Sequence, residues 1–451
     1  MSKLLSRFLF IYCLIASVSL SAQQDINPTS NAPYSRLGIG DLLDQNFAAT
    51  AGMGGLSATY HDPYHINILN PASYAWLRAT AFEVGINSEY TRLNDGDNGT
   101  NIWDGQLNYM AIGFPMRNPI NEALDRRKRD FGWGMGLALT PYSRVNYDII
   151  TTSALVDSTN TVSSFKGNGG TYKLHWGTGI RYKNLAVGAT LGYFFGKNNY
   201  QRQTDLQGAG THYRNDLVDA TSVSGVTWNA GIMYDLVFKS RNDEGKLVPN
   251  GKKLVFGAYG NSTQDFTANT TNLYQRIYTV NIGSVSGAEI VETPDTMATQ
   301  ETLPSELSFG IQYVDENKLR VGFNYTLANW SEFSYPIQTQ ALSNAYKASF
   351  GVEFTPDDAS YNKYLNRVRY RIGGFYHQDP RSFGGEQLQH YAITLGMGMP
   401  VVLPRQQTSF VNIALEAGQF GLPDALRENY VKLTLGFTLN DNSWFYKRKF
   451  N

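Results

Sequence analysis

Ten residues near the end of the chain constrain its fold more than any other feature. Val431, Leu433, Leu435, Phe437 and Leu439 alternate with Lys432, Thr434, Gly436, Thr438 and Asn440. Side chains of a β-strand point alternately to opposite faces, so this segment has one oily face and one polar face. Two further stretches behave alike. Phe131, Trp133, Met135, Leu137 and Leu139 interleave with glycines, Ala138 and Thr140, and Val226, Trp228, Ala230, Ile232, Tyr234 and Leu236 interleave with Thr227, Asn229, Gly231, Met233 and Asp235. A soluble sandwich would bury such an oily face in a core. Here the opposite face is mostly Gly, Thr, Asn and Ser rather than charged. Aromatic residues also gather near the segment ends, as in Tyr193-Phe194-Phe195, Phe375-Tyr376 and Trp444-Phe445-Tyr446, where interfacial girdles sit.

After residue 22 no uncharged apolar run is long enough for a membrane helix, which needs about 20 residues. A chain spanning a membrane without such a helix must close its strands into a barrel, because lipid offers no partner for free backbone groups. Composition agrees. Only 17% of the 451 residues are charged, below the roughly 25% of soluble domains, while glycine (43) and tyrosine (29) are abundant. Lys+Arg and Asp+Glu both number 38, and this balance gives no reason to expect nucleic acid as a partner.

Residues 1–22 read as a cleaved signal peptide, with Lys3 and Arg7, an apolar run from Phe8 to Val18 and a small-residue zone Ser19-Leu20-Ser21-Ala22. The single cysteine, Cys13, falls inside it, so the mature protein is expected to lack disulfides and thiolate chemistry. The expected fold is all-β, a transmembrane antiparallel barrel of about fourteen strands in the outer membrane. The strands are placed to begin near residues 79, 104, 131, 160, 185, 218, 252, 302, 318, 344, 366, 388, 408 and 429. Stretches near 203–218 and 268–302 are read as long outer loops, and Lys183-Asn184 and Asp315-Glu316-Asn317-Lys318 as short periplasmic turns. The connection Asn118 to Asp130, with its charge run Asp125 to Arg129, is read as a solvated turn.

Residues 23–78 show no sustained period and are rich in turn formers, reading as a hatch or plug ahead of a barrel at 79–451. Their small residues Gly52, Gly54 and Gly55 would let backbone approach a barrel wall closely. The turn Asn70-Pro71-Ala72 is the expected anchor: Pro71 fixes its own φ and restricts Asn70, whose side chain can hold backbone groups left unpaired at a bend.

These residues resemble the FadL-type outer-membrane transporters of hydrophobic compounds, in the form common in Bacteroidota. The resemblance is carried by Ala49 to Gly55 followed by Asn70-Pro71-Ala72, by Pro141-Tyr142-Ser143 and Gly167 to Gly170, and by Leu303-Pro304-Ser305-Glu306 and Trp330-Ser331-Glu332-Phe333. Arg371-Ile372-Gly373, Leu395 to Pro400, Glu416 to Gly421 and the ending Trp444 to Lys449 extend it. It implies a fourteen-stranded barrel, a hatch in the lumen and passage of an apolar small molecule. The chain shows no clear counterpart to the family's apolar helical outer-loop segments, and some members of this superfamily act instead as accessory barrels of secretion or assembly machines.

The expected function is therefore passive uptake of hydrophobic small molecules, with a non-transporting accessory barrel of an outer-membrane secretion or assembly complex as the alternative. A transporter predicts an apolar pocket running from the outer loops to the hatch, while an accessory barrel predicts a filled lumen and a surface for an outer-membrane protein partner. The segment holding Tyr274, Ile277 and Tyr278 is a candidate lid or docking surface in either case. No enzyme is expected, and neither a cofactor nor a metal site. None of the six histidines lies in a triad-like motif. His61 and His65 have a metal-like i, i+4 spacing, but Asp62-Pro63 between them argues for a turn, and no third ligand is evident. Gly192 to Lys197 imitates part of a phosphate loop, but Asn198 replaces the hydroxyl residue such a loop requires.

Overall fold

The computed structural model describes residues 28–441, apart from 29, 95, 97–98, 118–129, 155–159, 208–211, 242, 244, 281–284, 317, 338–339, 404–406 and 424. The signal segment, the charge run at 125–129 and the aromatic ending at 444–449 lie outside the described residues.

Seventeen strands form one antiparallel sheet. They are β1 (Asp41–Leu42), β2 (Thr80–Asn94), β3 (Gly99–Pro115), β4 (Phe131–Ala154), β5 (Asn160–Tyr182), β6 (Leu185–Gln207), β7 (His212–Arg241), β8 (Leu247–Asn261) and β9 (Gln264–Val280). The remainder are β10 (Val285–Leu303), β11 (Glu306–Asp315), β12 (Leu319–Ala328), β13 (Ala345–Phe354), β14 (Arg369–Phe383), β15 (Glu386–Leu403), β16 (Gln407–Gly421) and β17 (Arg427–Asp441). Pairing of β17 with β2 closes the sheet into a ring. β8 and β9 succeed each other along β7, and β10 leads into β11, so each pair acts as one staff and the barrel has 14 strands. β1 precedes the barrel and pairs only with β4 among the described residues.

Alternation decides which face each residue takes. Leu137, Trp176, Leu191 and Trp228 are register partners across β4 to β7, and all four are exposed on the outer face. One step away, Gly136, Gly177, Thr190 and Asn229 form the matching inward row. Burying the first row in lipid and the second against the lumen is the only assignment that satisfies both.

The strands differ greatly in length. β12 and β13, with 10 residues each, are just long enough to span a bilayer. β4, β5, β6 and β7 have 24, 23, 23 and 30 residues, and at roughly 3.3 Å per residue they overshoot it on the outer side. With β9 and β10 they build a six-stranded extension above the membrane. Within the expected long outer loops, residues 203–207, 212–218, 268–280 and 285–302 are thus strand, and Tyr274, Ile277 and Tyr278 lie in β9 instead of a loop. The sequence there is Thr- and Asn-rich without an oily face, because both faces of the extension are outside lipid. Alternation therefore fails as a signal exactly where the sheet leaves the bilayer.

The extension does not stand free. Inward residues Val145, Phe194, Val223 and Phe266 pack with Trp330, Phe333, Tyr335 and Leu342 from the connection between β12 and β13. This apolar cluster sits over the barrel mouth.

Candidate functional site

The N-terminal segment lies against the inner face of the ring. It contains a 3-10 turn at Pro33–Arg36, the helix α1 (Ala48–Ala51) and a 3-10 helix at Pro71–Trp76. Glycines on the wall receive it at many points, and the two that hold the sequence-chosen residues lie on opposite sides. At the first, Gly54 and Gly55 adopt φ of +68° and +82° and reverse the chain after α1. The Gly54 amide donates to Thr394 Oγ1 at 2.9 Å. A Cβ on Gly54 would lie 2.6 Å from Gly374 O and 2.8 Å from Phe350 O, and one on Gly52 2.9 Å from Gly396 Cα. Gly52, Gly54 and Gly55 therefore sit together against β13 to β15.

At the second place, Asn70 is fully buried and caps the following 3-10 helix, its Oδ1 accepting from Ala72 N at 3.2 Å. Its Nδ2 donates to Ala58 O at 2.7 Å and approaches the wall carbonyls of Ala258 and Ile232 at 3.3 and 3.4 Å. Pro71 and Ala72 pack on Gly179 and Gly188, and Asn70 on Gly231. Asn229 Nδ2 donates to Leu69 O at 2.6 Å. The two groups of sequence-chosen residues are therefore not one cluster, and the chain crosses the lumen between them.

Charge fixes the crossing, and these residues were not singled out from the sequence. Asp62 is 1% exposed and meets Arg369 at 2.8 Å and Arg320 at 3.3 Å. Burial opposes its ionisation, yet Arg369, His65 and Arg320 hold its carboxyl well below the usual range. Arg320 and Arg371 share Glu353 at 3.2 and 2.7 Å. His65 places Nδ1 3.1 Å from Asp62 and Nε2 3.0 Å from Asn412 Nδ2. His61 Nδ1 donates to Thr59 O, and its Nε2 accepts from Lys253, which also pairs with Asp235 at 2.8 Å. Burial lowers the affinity of both imidazoles for a proton. Every ring nitrogen of this histidine pair is thus engaged in holding the segment. Nearer the outside, Asp44 pairs with Lys347 at 2.7 Å, and Arg381 binds Asp379 and Asp41 as well as Tyr34 O and Gly40 O. At Asp41, Asp44 and Asp62 the anion lies on the segment and its main cationic partner on the wall. A visible signal existed: Arg369, Arg371 and Glu353 are charges at inward positions of otherwise oily strands.

Above the crossing lies a cavity of ≈ 320 Å³. Eight carboxylates line it, Asp44, Glu89, Glu306 and Glu428 among them, against four cationic side chains, Arg144, Lys347, Arg381 and Lys432. On one side the wall is split. β3 pairs with β4 only between Met110–Pro115 and Gly134–Leu139. Higher up, β4 bonds instead with β1, and Arg144 reaches across the split to Asp104 and Gln106.

The fold is similar to that of CymD, a monoaromatic hydrocarbon channel, with a TM-score of 0.53 at 13% identity, covering 89% of this chain and 98% of that one. It is also similar to the toluene transporter TodX of Pseudomonas putida (TM-score 0.52, 15% identity, 89% and 100% covered) and to a FadL homologue of Pseudomonas aeruginosa (0.55, 11%, 88% and 98%). At such identities the likeness is one of fold, a closed β-barrel. No curated protein matches the chain. A family model described as BamG matches residues 4–451.

Proposed function

The chain belongs to the BamG family, and on that premise we propose that it is an accessory barrel of the outer membrane, a non-transporting subunit that docks within a larger secretion or assembly complex. The observation that carries this reading is the filled axis. An apolar solute entering from outside meets a packed core of Phe194, Phe266, Trp330 and Phe333, then a cavity with eight carboxylates, then a segment held by ion pairs to Arg320, Arg369, Lys347 and Arg381. Moving a buried, paired carboxylate such as Asp62 away from its partners leaves uncompensated charge on the wall, at a cost of about 3 kcal/mol or more. The six-stranded extension supplies surface beyond the bilayer on which a partner protein can sit.

Uptake of an apolar small molecule is the second reading, favoured by the split between β3 and β4, which breaks the continuity of the wall. Affinity isolation of the tagged protein from native outer membranes in mild detergent separates the two. Stoichiometric recovery with a larger outer-membrane assembly is the expected result. Recovery alone, with a lipid-like molecule in the lumen, would replace the docking reading by the transport one.

A further inference from the structure

Just above the outer aromatic belt, the outer face of the barrel carries a groove of ≈ 760 Å³ whose floor is formed by Val145 and Val223 of the mouth cluster. It arises where side chains are missing from neighbouring strands. Just past the bulge of β4 between Pro141 and Ser143, Arg144 and Val145 pair with Gly170 and Gly169 of β5, and Gly196 of β6 pairs with Thr171 on one side and Val223 of β7 on the other. The bare positions are obligatory. A Cβ on Gly169 would stand 2.7 Å from Asn198 Cα, and one on Gly196 2.6 Å from Thr171 Cα.

Tyr172, Phe195 and Lys197 line this groove from the lipid side, since they share a face with exposed Leu174, Leu191 and Tyr193. The lower rim is aromatic: Tyr172 and Tyr193 each stack on Phe195 with ring centroids 5.9 Å apart. Such rings mark the depth at which hydrocarbon gives way to headgroups. The rim above is polar. Lys197 is exposed with no ion pair among the described residues, and Asn199 Nδ2 donates to Asn168 Oδ1 at 3.1 Å, leaving the Asn168 amino group to donate. Arg144 closes one end but is already neutralised by Asp104. An unpaired cation with amide donors thus stands directly over an apolar step, at the level of lipid phosphates.

We propose that this groove binds a phosphorylated lipid of the outer leaflet, its acyl chains on Tyr172, Tyr193 and Phe195 and its phosphate on Lys197 and Asn168. A single snorkelling lysine would need neither the glycine row nor the neighbouring amides. The purified full-length barrel, incubated with bisphosphorylated lipid A or its dephosphorylated form and weighed by native mass spectrometry, tests this. The phosphorylated lipid should be retained about fivefold better, a preference that Lys197→Glu abolishes and Lys252→Glu, on the opposite rim, leaves intact. Heat-modifiable migration on a gel checks that each variant remains folded, and Lys197→Gln serves as the milder substitute if the first does not. Equal retention of the two lipids, or a preference surviving at Lys197→Glu, would overturn the proposal. Displacement of the lipid by inorganic phosphate alone would assign the groove to a free anion and overturn it too.

Discussion

At the scale of single residues, the segment inside the barrel is held by groups that have one partner arrangement each. Asn70 uses both ends of its amide, accepting from Ala72 and donating to Ala58. Asn70→Ala removes these bonds and orphans buried backbone groups, at about 1–3 kcal/mol. Asn70→Asp should be worse, because it loses the donor and buries a charge beside carbonyl oxygens. Protection of the segment from a periplasm-side protease reads the order. Asp62 gives a pH signature. Its folded-state affinity for protons is depressed, so the stability it contributes is fully present above the unfolded value of about 3.9 and is lost as pH falls through and below it. Protection of the segment should therefore drop on titration from pH 5 towards 2. Asp62→Asn should already show weakened protection at neutral pH, by about 3 kcal/mol, and a flatter acid profile.

Elements explain why some of this was legible beforehand. In β17, β7 and β4 the oily face meets lipid and the polar face the lumen, so alternation placed most strand starts within a few residues. The largest departure is the strand expected from 302, which begins as β10 at Val285. β10 bends at two register shifts and contains Pro294, Glu289, Glu292 and Asp295, features that blunt an exposed edge and also erase a strand pattern. Wall glycines were legible only as composition. Their purpose, receiving the inner segment, needs the third dimension: Gly188 faces Pro71 and Ala72, and Gly373 faces Met53 and Gly54. Gly188→Leu and Gly373→Val should each displace the segment while the barrel still forms, whereas Gly105→Ala, whose added Cβ meets only Asn87 O at an ordinary 3.5 Å, should leave it in place. Cysteine accessibility at position 53 or 72 in otherwise cysteine-free variants measures the displacement. The ion-paired clamps were missed because each joins residues hundreds of positions apart, as with Asp62 and Arg369 or Asp44 and Lys347.

On the scale of the whole molecule, the barrel and its extension are separable. β8 already bonds to both β7 and β11 within the bilayer, while β9 and β10 bond above it. Deleting 268–299 and bridging the ends with a short turn should leave a heat-modifiable barrel that no longer co-isolates with the proposed partner assembly. Persistent co-isolation would place the docking surface elsewhere. The ring closes by pairing β17 with β2, the last barrel strand among the described residues with the first. The segment that lies against the inner wall, β1 included, precedes β2 in the chain. When strands pair in chain order this seam closes last, and the leading segment is already present to be enclosed. Any machine that folds this chain must therefore keep the growing sheet open along one edge until its final fifteen-residue strand arrives.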